Sequence, residues 1–221
     1  MLFESGDTIV FAGDSVTDMG SEYPTGRCTG EQLGRSYVRV IDSLLAATYP
    51  ELKLNIVNAG CSGNTSRDLL ARWERDVLSF RPDWVSICIG INDVWHQFDD
   101  VAMPDRGVSP KEFEANVTQM IEKTKDCVKG IFIVSPYYME PNRTDFVRAR
   151  MDEYTAICKA IADRYGLIFV DFQALYEKFC SIRHSSSIAW DRVHPNQVGA
   201  TLMAMEFLSK CGYEYVPLLS R

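Results

Sequence analysis

Residues 9–18 read IVFAGDSVTD, from Ile9 to Asp18. Four apolar residues, Ile9 to Ala12, run straight into Gly13, Asp14 and Ser15. A continuous apolar run that stops at a glycine reads as a strand covered on both faces, the kind found in parallel sheets. Its end presents a small hydroxyl. Read alone, Ser15 is more often a turn or helix-cap serine than a nucleophile.

Segments of the same kind recur along the chain: LNIVNAG (54–60), WVSICIG (84–90), GIFIVSP (130–136) and LIFVDF (167–172). Helical patterns fill the gaps. In SYVRVIDSLLAATY, Tyr37, Val40, Ile41, Leu44 and Leu45 fall on one face. SRDLLARWERDVL opens on Ser66, and SPKEFEANVTQMIEKTKDC on Ser109 with Pro110 behind it, both reading as helix starts. RARMDEYTAICKAIADRYG stops at Gly166, a C-cap signal, and NQVGATLMAMEFLSK follows Pro195. Strand–helix alternation throughout predicts an α/β fold, a parallel sheet with helices on both faces. No repeat, low-complexity tract or linker interrupts it, so residues 1–221 are expected to form a single domain, long enough for a sizeable core.

The formal net charge of −7 argues against a basic nucleic-acid footprint and gives no attraction to anionic membranes. No stretch reaches the roughly 18 apolar residues of a membrane span. The first residues, MLFESGDTIV, show neither a positive n-region nor an apolar signal run. Cys28, Cys61, Cys88, Cys127, Cys158, Cys180 and Cys211 are odd in number and contain no CxxC pair. They read as reduced thiols, and the expected location is cytoplasmic.

In parallel sheets of this kind, ligands bind beyond the carboxyl ends of the strands. There the chain places Gly13-Asp14-Ser15, then Gly60-Cys61-Ser62-Gly63-Asn64, then Gly90-Ile91-Asn92-Asp93. A nucleophilic hydrolase needs a nucleophile, a base, a group that orients the base, and donors for an oxyanion. Ser15 is the candidate nucleophile. Of three histidines, His194 is the candidate base, because Asp191 stands three residues earlier and can reach back to its ring. Gly63 and Asn92, with the Ser15 N–H, are the candidate oxyanion donors. The G-x-S-x-G elbow of standard α/β-hydrolases is absent, and no phosphate-binding loop follows the first strand. Asp14, Asp18 and Asp93 read as turn and local-bond residues and no metal site is expected; Cys61 reads as a small buried filler.

Taken together, GDSVTD, NAGCSGNTS, GINDVW and DRVHPN resemble, in order, the four blocks of the SGNH hydrolase superfamily, the GDSL esterases and lipases. The blocks run from Asp14 to His194, nearly the whole chain; Val16 stands where the name-giving motif has Leu. The resemblance implies Ser15 as nucleophile, Gly63 and Asn92 as oxyanion donors, and His194 with Asp191 as base and partner. It also implies a flavodoxin-like three-layer α/β/α sandwich with a five-stranded parallel sheet in the order 2-1-3-4-5, and no cofactor. Within that superfamily, NAGCSGNTSRDLLARWERDV, RPDWVSICIGINDVW and AWDRVHP are similar to the intracellular acetylxylan esterases. That likeness implies a serine esterase removing acetyl groups from acetylated xylo-oligosaccharides, working as a homo-oligomer.

Trp95, three residues after Asn92, and Trp190, directly before Asp191, read equally as core aromatics or as walls of a sugar site; Tyr137 could add to that surface. The loop DMGSEYPTGRCTGEQLGRS is polar and glycine-rich, suited to a hydroxylated substrate rather than a lipid tail. The alternatives are a lysophospholipase, a thioesterase or another short-chain esterase on the same scaffold, and a non-catalytic carbohydrate-binding protein.

Overall fold

The computed structural model describes residues 1–22, 26–27, 30–99 and 104–220. Cys28 and residues 23–25 of the polar loop lie outside the described residues. The run that opens the chain forms strand β1 (Thr8–Gly13). After it come β2 (Gly26–Arg27), β3 (Asn55–Gly60), β4 (Trp84–Cys88), β5 (Gly130–Val134) and β6 (Ile168–Val170). They build one sheet in the order β2-β3-β1-β4-β5-β6. The five long strands are parallel to one another and, counted among themselves, stand in the expected 2-1-3-4-5 order. The addition is β2, two residues pairing antiparallel with β3 at the edge. Two residues carry no periodicity, so nothing in the sequence marks them.

The helices are α1 (Ser15–Asp18), α2 (Tyr37–Thr48), α3 (Ser66–Ala71), α4 (Trp73–Asp76), α5 (Ile91–Trp95), α6 (Pro110–Thr124), α7 (Phe146–Tyr165), α8 (Phe172–Cys180) and α9 (Gln197–Ser209). Helices α2, α9 and α8 pack in succession on one another, as do α3, α6 and α7, giving the two outer layers. Ser109 caps α6 with Pro110 at its first position, and Gly166 ends α7 in the left-handed region at φ 65°. The cap of α3 is Thr65 in a capping box with Asp68, not Ser66. Ser66 is instead used by the site below.

The strands are apolar on both sides because both sides are covered. Phe11, Ser86 and Phe132 lie side by side in register on β1, β4 and β5. Phe207 of α9 packs on both flanking rings, 5.2 Å from Phe11 and 4.5 Å from Phe132. The small serine between the two rings leaves space for the phenylalanine above it. Aromatic contacts continue from Phe11 to Tyr37 and from Tyr37 to Phe172, which ties α2 and α8 to the sheet. Among the described residues, no helix is long and apolar enough to cross a membrane.

Candidate active site

The site grows from the abrupt end of β1. Asp14 caps α1, its Oδ1 accepting from the Val16 N–H at 3.0 Å, so Ser15 is the first residue of a helix. The N–H of a first helical residue has no acceptor inside the helix and stays available. Close packing fixes this turn. A Cβ on Gly13 would lie 2.5 Å from the Cys88 carbonyl oxygen, and one on Gly60 would lie 2.3 Å from the Asp18 nitrogen. The two glycines let the end of β1 and helix α1 lie directly against their neighbours.

The Ser15 hydroxyl donates to His194 Nε2 at 2.8 Å, and His194 Nδ1 lies 2.5 Å from Asp191 Oδ2. Asp191 Oδ1 also accepts from the N–H groups of Val193 (3.0 Å) and His194 (2.8 Å). Burial pushes the Asp191 carboxyl up, but the His194 ring and these two N–H donors outweigh it and hold it below the usual carboxylate range. A carboxylate only accepts, so the ring proton sits on Nδ1 and Nε2 is left to accept from Ser15.

The loop after β3 meets α5 beside this triad. Gly63 has φ 81°, which permits the turn closed by Asn64 N–H to Cys61 O at 3.1 Å; the Gly63 N–H takes no part in that bond. Asn92 donates from Nδ2 to the Asn64 carbonyl at 2.9 Å. Asn64 thus links Gly63, its chain neighbour, to Asn92. One amide hydrogen of Asn92 is held, which orients the amide and frees the other. Asp18 steadies the loop from the opposite side, accepting from the Ser62 hydroxyl at 2.5 Å.

Several residues stand where the sequence did not put them. Tyr137, expected at the substrate surface, is fully buried, its ring tilted against Tyr176 with centroids 4.6 Å apart, and its hydroxyl donates to the Val193 carbonyl at 2.7 Å. It props the triad loop from beneath. Arg192, at φ 66°, shares that loop; its carbonyl accepts from Met139 N–H at 2.9 Å and its guanidinium pairs with Glu140 at 3.0 Å. Asp93 reaches beyond its own turn. It is buried and accepts from the Ser66 N–H at 2.9 Å and from the Ser66 hydroxyl, 27 residues away. Asn116 donates to the same hydroxyl at 3.0 Å. Burial raises the Asp93 carboxyl to about 6 although these donors oppose it. Cys61 is half-buried rather than enclosed, and burial raises its thiol, which disfavours a thiolate beside Gly63.

Trp95 is half-buried and packs on the core. Trp190 is 87% exposed. It lines an open cavity of about 340 Å³ with Met19, Ile188, Ala189, His194 and Pro195. The cavity therefore touches the histidine of the triad and one broad solvent-facing ring. Among the described residues, no three His, Cys, Asp or Glu side chains converge as metal ligands would.

Such a set can move a proton from Ser15 to His194 and receive negative charge on nearby N–H groups, which is acyl-transfer chemistry. The comparisons agree in kind. Residues 11–202 match the GDSL-like Lipase/Acylhydrolase family. The chain is 44% identical over 216 residues to an acetylxylan esterase of Geobacillus stearothermophilus, covering 98% of this chain and 99% of that one. The crystal structure of Axe2, an acetylxylan esterase from the same organism, superposes with a TM-score of 0.95 at 44% identity over 98% of this chain and 99% of that one. Its catalytic mutant H194A gives a TM-score of 0.96 with the same identity and coverage. LAE5, an alpha/beta hydrolase enzyme from the metagenome of Lake Arreo, Spain, gives 0.93 at 42% identity over 96% of this chain and 98% of that one.

Proposed function

The chain belongs to the GDSL-like lipase/acylhydrolase family, and from that premise we propose that it is a serine esterase acting on acetylated carbohydrates, xylo-oligosaccharides foremost. The observation that carries the reading is the unbroken hydrogen-bond chain Ser15–His194–Asp191 beside the Gly63 loop and Asn92. The likeness to an acetylxylan esterase along nearly all of both chains supports the substrate class. So does the exposed Trp190 ring next to His194, a flat apolar surface on which a sugar face can stack. The family match at 11–202 supports treating residues 1–221 as one hydrolase domain.

In this mechanism His194 Nε2 takes the Ser15 proton as Oγ attacks the acetyl carbonyl. The carbonyl electron pair moves to oxygen, and the N–H groups of Ser15 and Gly63 and the Asn92 amide receive the charge. Each such donor is worth about 2.7–4 kcal/mol of barrier. The intermediate collapses as His194 protonates the departing sugar oxygen, leaving an acetyl-enzyme. Water, deprotonated by His194, then attacks the acetyl carbonyl, and His194 returns that proton to Ser15 Oγ as the acyl–oxygen bond breaks and acetate leaves.

Assay on aryl acetate, on long-chain aryl esters and on acetylated xylose is expected to show preference for acetyl and no measurable turnover in Ser15→Ala. Preference for long acyl chains would overturn the substrate, and wild-type turnover in Ser15→Ala would overturn the mechanism. We further propose a homo-oligomer, supported by large side chains left in solvent, Tyr215 at 71% and Leu219 at 99% exposed. Light scattering that returns a monomer mass overturns this. A cytoplasmic location is part of the same proposal, supported by the unpaired buried thiols Cys88, Cys158 and Cys211.

A further inference from the structure

Arg72 lies behind the oxyanion loop, in the short break between α3 and α4, and is only 7% exposed. Its Nε donates to the Asn64 side-chain oxygen at 2.6 Å. Nη1 donates to the Ala59 carbonyl at 2.9 Å, and Nη2 to the Gly13 carbonyl at 2.9 Å. Asp76 balances the charge, 3.3 Å from Nη1 and itself held by Arg75 at 2.6 Å.

Each acceptor belongs to a segment that carries part of the site. Gly13 is the last residue of β1, two before Ser15. Ala59 is the penultimate residue of β3, at the mouth of the oxyanion loop. Asn64 follows Gly63, and its carbonyl holds the Asn92 amide. The Gly13 carbonyl also accepts the Cys61 N–H at 3.0 Å, so the end of β1 and the start of the loop meet at one oxygen that Arg72 holds. A guanidinium is planar and its donors are fixed in a fork. One rigid group therefore spaces the nucleophile turn, the Gly63 loop and, through Asn64, the Asn92 amide.

We propose that Arg72 is a positioning residue for the oxyanion donors, setting their separation to fit the tetrahedral intermediate rather than the planar ester. It touches no reacting atom. The inference rests on the esterase reading above and adds the residue that presets its geometry. A lysine keeps the charge but supplies one point instead of a fork.

The test compares wild type, Arg72→Lys, Asn64→Ala and the double variant on aryl acetate. Active sites are counted by titration with a phosphonylating serine reagent, and unfolding temperature is recorded. An alkylboronic acid reports the tetrahedral state directly, because its boron takes up the Ser15 oxygen as His194 takes the proton, with no leaving group. Arg72→Lys is expected to lose on the order of 10²-fold in kcat per titrated site, with KM little changed. Boronate affinity should weaken in step. Asn64→Ala should shift both quantities the same way but less, and the double variant should fall short of the product of the two losses.

If kcat per active site and boronate affinity hold while the unfolding temperature drops, Arg72 is merely structural and the proposal is overturned. Should Arg72→Lys fail to fold, Asn64→Ala decides alone, and wild-type kcat and boronate affinity in it overturn the proposal. Ser15→Ala in the same assay separates the two readings. An inactive Ser15→Ala beside an unaffected Arg72→Lys removes this inference and leaves the esterase standing.

Discussion

Asp191 divides one carboxylate among three donors, the His194 ring and the N–H groups of Val193 and His194. That division makes its two oxygens unequal in consequence. Asp191→Asn keeps an oxygen for one set of bonds but turns the other atom into a donor. If that donor faces Nδ1, the imidazole must carry its proton on Nε2 and can no longer accept from Ser15. We expect kcat to fall by about 10⁴-fold, as an inverted tautomer requires, while circular dichroism stays that of wild type. A variant within tenfold of wild type would show that Asp191 does not set the tautomer. The triad residues are readable because each is polar and belongs to a short block of fixed order, Ser15 at the end of β1 and Asp191 with His194 in the loop before α9. Tyr137 is not: an aromatic after a strand looks the same whether its ring turns inward or out, and only the path of the 191–194 loop beneath it decides. Arg72 is equally silent, since a single arginine in an amphipathic helix reads as a solvated surface charge. Its burial depends on carbonyls contributed from Gly13 and Ala59, far away in sequence.

At the scale of elements, the five parallel strands were marked by continuous apolar runs, within one or two residues of their observed ends. The start of α8 is hidden, because its cap, Asp171, and its first residue, Phe172, continue the apolar run LIFVDF without a break. Two glycines, at the end of β3 and in the loop that follows it, show how backbone and packing impose separate constraints. Gly60 is tight: a Cβ there would meet the Asp18 nitrogen at 2.3 Å and its Cα at 2.7 Å, atoms of the helix that carries Ser15. No rotamer relieves a clash with backbone, so α1 must move off β3. Gly63 has open space around its Cβ position but φ 81°. Gly63→Ala is expected to cost about 1–2 kcal/mol, the ordinary left-handed penalty, with its N–H retained. Gly60→Ala should cost more, about 3 kcal/mol as for an overpacked core, and should lower kcat because Ser15 shifts with its helix. Urea unfolding and kcat measured on both variants check the ranking; equal stability losses would contradict it.

Across the whole molecule, the strand order followed from the family blocks and the crossovers from strand–helix alternation, whereas the electrostatic balance of the interior could not be read until burial was known. In the sequence Asp14 reads as a turn residue. It holds the turn through Oδ1, but Oδ2 is buried without a hydrogen-bond partner among the described residues. Burial raises this carboxyl from 3.8 to about 7; Asp93 pushes it the same way, and the Val16 N–H and His194 pull against them. Asp93 is itself raised to about 6. In the unfolded chain both groups release their protons near the ordinary carboxylate value of about 4. From there up to about 6 for Asp93 and about 7 for Asp14, the folded state binds protons that the unfolded state has lost. Stability therefore falls as pH rises through this window and levels off above it. The depressed carboxyls, Asp191 and Asp76 among them, act in the opposite sense but lose their contribution only as pH drops below the ordinary range, outside this window. Asp14→Asn retains the oxygen that accepts the Val16 N–H and cannot ionise. Its unfolding temperature relative to wild type should therefore rise between pH 5 and pH 8, whatever the offset at pH 5 from seating an amide nitrogen where Oδ2 lies. Curves for the two proteins that run parallel across that range would show that the proton on Asp14 is not linked to folding.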